Sequence, residues 1–150
     1  MCQVAKRTEL TVRVADRSQS VNDVFHTATR SGASVLASCS FWDNHGAVVL
    51  LVPEKPEETS QVLKAAGFTC QAHSVVVLGP ESSAGLAPLV VPELLAAGIN
   101  VLYSYAARSD DHAGYVVLGT TDNDRAVRLL GVNSLVRSLA RAKNASLQAA

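Results

Sequence analysis

The stretch LLAAGINVL, at Leu94–Leu102, decides the fold because an earlier stretch of the chain has the same pattern. The earlier stretch is ATRSGASVL, at Ala28–Leu36, and in both a helical apolar pattern ends at a glycine before an extended pattern begins. A second matching pair follows in each copy, HGAVVL at His45–Leu50 and AGYVVL at Ala113–Leu118. Two matches in the same order predict a supersecondary unit that occurs twice.

The first copy has the predicted order β-α-β-β-α-β. Glu9–Val14 alternates polar and apolar residues, which predicts a half-buried strand with Glu9 on its polar face. Ser20, with Asp23 three residues later, forms a capping box for a helix that ends near Gly32. The pattern then predicts strands over 34–41 and 47–52, a helix that begins at Pro56 and ends at Gly67, and a strand over 69–78.

The second copy begins on the strand with which the first copy ends. Residues 74–78 are both part of the last strand of the first copy and the first strand of the second. Pro88 and Pro92 predict a kink or a broken first turn in its first helix, since proline is tolerated in a first turn and disfavoured in a helix interior. This would delay the start of the helix or, alternatively, reshape the loop before it. The elements predicted after 74–78 are a helix over 86–97, strands over 99–107 and 114–120, and a helix over 122–130 with Asp122 or Asn123 as its N-cap.

The fourth strand of the second copy has no clear signal in the sequence. Three alternatives stand: a short strand over 132–136, a helix there with the sheet completed elsewhere, or the N-terminal arm around Cys2–Val4. We predict an α+β protein with two ferredoxin-like βαββαβ modules in tandem, each with an antiparallel sheet and its helices on one face. The expected division is 1–72, 73–132 and a basic tail over 133–150, which is helical or a short strand followed by a helix.

Charge and composition exclude several classes of function. The 150 residues contain 13 Lys and Arg against 13 Asp and Glu, and a net charge of zero argues against a nucleic-acid partner. No apolar run reaches about 18 residues and no apolar leader begins the chain, so we expect a cytoplasmic protein with no membrane partner. The three cysteines form no CxxC pair, which indicates reduced thiols.

Candidate catalytic and metal-binding residues are scattered along the chain. Cys70 and His73 lie three apart on a predicted strand and therefore face opposite sides of it, which disfavours a thiol nucleophile or a chelate. Cys39 lies on an apolar strand, where a buried thiol is typical, and His112 lies in a polar turn. The nucleotide-binding and hydrolase motifs are absent from the sequence. We predict that the protein is not an enzyme and has no cofactor and no metal site.

The doubled βαββαβ order, with Gly98–Val101 at the corner between helix and strand, resembles the ACT-domain family, above all its stand-alone tandem proteins. That family consists of small ferredoxin-like modules that bind amino acids and regulate metabolic enzymes. The resemblance covers about Glu9 to Gly131 at the level of element order. It implies a ligand site made from the first β-α loop and the next helix–strand corner of each module.

The family pattern is carried best by the second copy. Gly85 and Leu86 stand at the loop positions of a glycine and an apolar residue, after Ser83 and Ala84, and Asn100 stands at the corner asparagine. A ligand carboxylate favours backbone N–H donors at a helix N-terminus, and Gly85 permits close approach of the backbone. The amide of Asn100 has both a donor and an acceptor. The alternative is that Gly85 is only a turn residue and Asn100 only a polar residue at a strand entry.

The first copy departs from the family pattern. Asp16 matches the acidic loop position, but Ser18-Gln19-Ser20 stands where the family has Pro-Gly, and Ser34 replaces the corner asparagine. We predict a non-catalytic regulatory homodimer that binds a free amino acid between modules. The alternatives are a ligand-free regulatory subunit that binds a metabolic enzyme and, more remotely, a thiol-dependent enzyme of ferredoxin-like fold that uses Cys39 or Cys70.

Overall fold

The computed structural model describes residues 3–15, 19–30, 32–80, 86–108, 114–132 and 148–149. Its six strands and four helices are β1 Gln3–Val14, α1 Val21–Thr29, β2 Val35–Asp43, β3 Gly46–Pro53, α2 Pro56–Ala65, β4 Thr69–Gly79, α3 Ala87–Ala96, β5 Val101–Arg108, β6 Gly114–Thr120 and α4 Asn123–Val132. This order confirms the α+β class and the repeated βαββαβ pattern. The described helices include none that is long and apolar enough to cross a membrane.

The chain divides into two compact units. The continuous unit is Thr8–His73, and the split unit is Met1–Arg7 together with Ser74–Ala150. Strands β1 and β4 each have residues in both units. The strand order is β2-β3-β1-β4 in the continuous unit and β1-β4-β6-β5 in the split unit. Both units therefore have the strand order of a ferredoxin-like module, as predicted.

The continuous unit has its core between the strands and the two helices α1 and α2. Strands β1 and β3 are antiparallel, with Leu10 opposite Leu51 and Val12 opposite Val49. These four side chains are fully buried, and Leu63 of α2 packs into the same cluster. The alternation read from the sequence therefore places its apolar residues on the helix-covered face of β1.

The prediction for Glu9 is wrong, because this carboxyl is fully buried instead of lying on a solvated face. The reason lies in strand β3, which is buried on both faces: Val48, Leu50 and Val52 alternate with the core residues and are also inaccessible. A strand next to β3 therefore has no wholly solvated face at this point. Arg13 of β1, further along, is exposed as predicted.

The split unit is completed by the N-terminal residues of the chain. Its core includes Val76 of β4 and Leu118 of β6, which are paired in register, and Val4 packs against it. The ammonium of Lys6 donates to the Asp124 carboxylate of α4 at 2.7 Å. Of the three candidates for the fourth strand, the N-terminal arm is therefore the one found. Helix α4 reaches Val132, and 133–147 lie outside the described residues.

Helix starts follow the capping rules read from the sequence. The Asp23 N–H donates to Ser20 Oγ at 3.2 Å and the Ser20 N–H donates to Asp23 Oδ2 at 2.8 Å, which confirms the capping box. At α4 the Arg125 N–H donates to Asp122 Oδ1, so Asp122 is the N-cap. The Asn123 amide instead donates to the Ser74 carbonyl at 2.7 Å.

The expected delay in the start of α3 is wrong. The N–H groups of Leu89 and Val90 both donate to the Leu86 carbonyl, so a regular first turn forms and the helix begins at Ala87. Pro88 lies in that first turn, where its missing N–H has no helical acceptor to lose. Pro92 lies inside the helix and removes one interior hydrogen bond, which the packing of Val90 and Leu94 in the core compensates.

We expect Thr59→Val to raise the free energy of unfolding by about 1 kcal/mol. Thr59 is fully buried on α2, and its Oγ1 has no hydrogen-bond partner among the described residues. Valine has nearly the same shape and no hydroxyl to desolvate. Urea denaturation measures the change, with Thr29→Val as the control, because the Thr29 hydroxyl donates to the Phe25 carbonyl. Equal or lower stability of Thr59→Val would contradict the prediction.

Candidate functional site

The described residues include three of the eight predicted ligand-binding residues. Leu86 lies directly before α3, Asn100 directly before β5, and Ser34 directly before β2. The remaining five lie outside the described residues: Asp16, Ser18, Ser83, Ala84 and Gly85.

Leu86 is a core residue of the split unit. Its side chain is 3% exposed and packs in the same cluster as Val90 and Leu94 of α3. Its carbonyl accepts the first two hydrogen bonds of that helix. Leu86 therefore fixes where α3 begins, and its side chain is buried in the core.

Asn100 is held through its backbone and has an exposed side chain. Its N–H donates to Thr121 Oγ1 and its carbonyl accepts from the Thr121 N–H, both at 3.0 Å. Before it, Gly98 has φ +75° and ends α3, and Ile99 is buried. The corner therefore anchors the main chain of Asn100 and leaves its amide at the surface.

Ser34 occupies the equivalent corner of the continuous unit. Gly32 has φ +71° after α1, Ala33 is buried, and Ser34 is exposed. The Ser34 carbonyl accepts from the Glu54 N–H at 2.9 Å. The two corners share the sequence of a left-handed glycine, a buried residue and an exposed polar residue, as the repeat predicts.

The two copies also share a β-bulge that was not predicted from the sequence. In β5 the register with β6 shifts between Val101 and Tyr103, which leaves Leu102 as a bulged residue. In β2 the register with β3 shifts between Val35 and Ala37, at the equivalent leucine. The matching Val-Leu pairs in the two copies are the signal from which these bulges could have been predicted.

Leu86 and Asn100 lie at opposite ends of α3. This helix has ten residues and a length of about 15 Å, which exceeds the length of a free amino acid. A free amino acid therefore does not span from Leu86 to Asn100 along this helix.

Two exposed ion pairs dominate the electrostatics of the described residues. Arg13 donates to Asp43 Oδ2 at 2.8 Å, and this hydrogen bond, with a second from the His45 N–H, lowers the pKa of Asp43. The hydrogen bond from Lys6 likewise lowers the pKa of Asp124. Each pair lies within one unit, with Arg13 on β1 and Asp43 on β2 and with Lys6 on β1 and Asp124 on α4, and solvent screens both pairs. Groups of three acidic, histidine or cysteine side chains placed to hold a metal are absent from the described residues.

The two described thiols differ in their surroundings. Cys70 is buried and packs in the core of the continuous unit, whereas Cys39 is half-buried on β2. His73 is exposed on β4. The structure thus places Cys70 as a packing residue, and Cys39 is more accessible than the sequence analysis expected.

The split unit exposes large hydrophobic residues on α3 and β5, and we name their exposed faces together the α3–β5 surface. The exposed residues are Leu89, Leu95, Leu102 and Tyr103, and Leu102 is 66% exposed. Helix α3 is apolar around most of its circumference, with Glu93 as its only charged residue. A helix of this kind is typical of a buried position. The exposure of these leucines was not predicted from the sequence.

The comparisons with known proteins show a fold and not a family, since no family model and no curated protein matches the chain. A protein from Bacteroides thetaiotaomicron has a similar structure, with a TM-score of 0.68 and 21% identity over 86% of this chain and 88% of that one. The ligand-free regulatory subunit of aspartate kinase from Thermus thermophilus has a TM-score of 0.57 and 14% identity, over 85% and 94%. The structure of aspartokinase alpha and beta subunits has a TM-score of 0.53 and 17% identity, over 85% of this chain and 94% of that one. The chain therefore has the fold of aspartate kinase regulatory subunits.

Proposed function

We propose that the protein is a non-catalytic regulatory protein that binds a free amino acid. The observation that carries the proposal is the corner at Asn100, where two hydrogen bonds to Thr121 anchor the backbone and the amide side chain is exposed. The fold shared with aspartate kinase regulatory subunits supports the regulatory part of the proposal.

The proposed chemistry follows from the groups of a free amino acid. Its carboxylate accepts from backbone N–H groups of Ser83, Ala84 and Gly85, which precede α3 in the sequence. Its ammonium donates to the side-chain oxygen of Asn100. Leu86 takes part by fixing the start of the helix toward which the carboxylate is directed.

The site is proposed to join modules of two chains. Since α3 separates the loop from Asn100, one copy supplies the loop and its partner supplies the corner. Asp16, Ser18 and Ser34 are the corresponding positions in the continuous unit, where the family pattern is weaker. Binding then regulates association, because a ligand that prefers the paired arrangement shifts the population toward it.

We expect one of the twenty proteinogenic amino acids, at millimolar concentration, to stabilise the protein in thermal denaturation. At a concentration of a hundred dissociation constants, the gain in free energy of unfolding is about 2.7 kcal/mol. Asn100→Ala is expected to remove most of this gain. The control is Asn22→Ala, since Asn22 is an exposed residue of α1 outside the proposed site. The absence of stabilisation by any of the twenty would exclude a free amino acid as the ligand.

The proposed homodimer forms through the α3–β5 surface. Strand β5 is at the end of the strand order and pairs only with β6 among the described strands. Its residues are uncharged from Val101 to Ala107, so it lacks the charged side chains that usually protect an edge strand from pairing. A second copy that adds its own β5 and α3 would cover Leu95 and Leu102 in a two-fold arrangement.

Leu102→Lys is expected to weaken self-association at least tenfold, since pairing would bury the new ammonium. Sedimentation equilibrium measures the effect. The control is Trp42→Lys, because Trp42 is 76% exposed on β2, at the other end of the strand order. A monomeric wild type, or equal weakening by both variants, would contradict the proposed interface.

A second candidate function is that of a ligand-free subunit that binds a metabolic enzyme. It is favoured by Ser18 and Ser34, which replace the family's ligand-binding residues in the continuous unit. Co-purification with one enzyme, together with no response to any amino acid, would select this function over the first.

A further inference from the structure

The continuous unit contains a groove that the proposed function does not use. It has a volume of about 450 Å³ and lies between the first turns of α2 and the strands β1 and β4. Ligand pockets in proteins usually have volumes of about 300–1,000 Å³, so the groove can hold a small molecule. Its apolar lining residues are Leu10, Pro56 and Ala72.

The polar lining residues of the groove are rich in hydrogen-bond acceptors. They are Thr8, Glu57, Ser60 and Gln61, and each has a side-chain oxygen that can accept a hydrogen bond. Among the described lining residues there is no lysine, arginine or histidine, and Glu57 is the charged one. This set of groups favours a ligand that donates hydrogen bonds and carries positive charge.

Two acids lie in the first turn of α2, and Glu57 is the one available to bind a positively charged ligand. Its neighbour Glu58 pairs with Lys55 at 3.5 Å, whereas Glu57 has no ion-pair partner among the described residues. The N-terminus of α2 carries about half a unit of positive charge, which is less than the full charge of the Glu57 carboxylate. The net field in the groove therefore attracts a cation.

We propose that this groove binds a small primary amine with a short apolar chain. The ammonium, with three donors, lies against the Glu57 carboxylate and the hydroxyls of Thr8 and Ser60. The chain lies on the apolar lining formed by Pro56 and Ala72. The site differs in place and in chemistry from the loop and the corner proposed for the amino acid, because all its lining residues belong to the continuous unit.

The experiment is an NMR titration of the whole isotope-labelled protein with three probes that share one chain: n-butylammonium, n-butanol and n-butyrate. We expect n-butylammonium to shift the amide signals of Thr8, Ser60 and Ala72 saturably at millimolar concentration, and the other two probes to bind at least threefold more weakly. Glu57→Gln should raise the dissociation constant of n-butylammonium about threefold, as expected for an exposed carboxylate. The matched control is Glu58→Gln, which should leave it unchanged.

A second variant tests the place of binding. Ala72 is exposed on β4 and lines the groove, so Ala72→Leu should fill the groove without disturbing the fold and should abolish the shifts at Thr8 and Ser60. Equal binding of the three probes, equal effects of Glu57→Gln and Glu58→Gln, or unchanged binding in Ala72→Leu would each overturn the proposal. The amino-acid response of Asn100→Ala is a separate measurement, and neither result depends on the other.

Discussion

Removal of Gln3–Arg7 is expected to destabilise the split unit by about 3 kcal/mol or more, while the continuous unit stays folded. These residues are the fourth strand of the split unit, so their loss leaves the hydrogen-bonding groups of β4 unpaired and uncovers the core next to Val4. Residue-resolved hydrogen exchange of a chain that begins at Thr8 should show lost protection in β6. The amides of β3 should keep theirs, since the core cluster of that unit begins at Leu10.

The control for this deletion is Lys6→Met, which removes the ion pair with Asp124 and leaves the strand in place. Both side chains of the pair are more than half exposed, so we expect this variant to keep the hydrogen-exchange protection of β6. Retained protection of β6 in the shortened chain would show that the N-terminal strand is dispensable and would contradict the prediction.

Gly79→Ala is expected to destabilise the split unit by about 3 kcal/mol. Gly79 ends β4 with φ +149°, a conformation that side-chain-bearing residues rarely adopt. A Cβ at this position would lie 2.7 Å from the Gly114 carbonyl oxygen and 2.5 Å from Cδ1 of Tyr115. The carbonyl belongs to the backbone of β6, so rotation of a side chain cannot relieve the contact. The backbone strain and the overpacking therefore both lower the free energy of unfolding.

Gly98→Ala separates these two contributions. Gly98 also has a positive φ, +75°, but a Cβ there would meet nothing within 4 Å. We expect a loss of about 1 kcal/mol from the backbone conformation alone. Urea denaturation of both variants measures the difference. Equal losses in the two variants would mean that the contact with β6 relaxes at little cost.

The element order could be predicted because it rests on local signals. The capping box at Ser20, the first-turn proline at Pro56 and the glycines at Gly32 and Gly98 each act within a few residues of the helix end that they define. The repeat then supported the fold class, because the same element order is found twice in one chain.

The burial of Glu9 and the role of the N-terminal strand depend on distant parts of the chain. Glu9 is inaccessible because β3 is buried on both faces, and the apolar run of β3 does not say which strand lies beside it. Gln3–Arg7 contains two basic residues, Lys6 and Arg7, and its pairing with β4 connects residues about seventy positions apart. No periodicity within such a segment predicts its partner.

The candidate site could be predicted only in part. Asn100 was identified from a four-residue corner, and its exposure fits the role proposed for it. Leu86 was named for the same site, yet it is a core residue because the first turn of α3 packs inward. The groove next to Glu57 was missed, since its residues come from three elements that share no sequence motif.

The division of β1 between two units has a consequence for synthesis on the ribosome. The continuous unit is complete once His73 has emerged, so it is able to fold while the rest of the chain is being made. Lys6 leaves the ribosome before its partner Asp124, which lies 118 residues later in the chain. At about 5–20 residues per second the N-terminal segment waits about 10 s for its place in the split unit. Lys6 and Arg7 are charged side chains of the kind that protect an unpaired edge strand from pairing with the wrong partner during that wait.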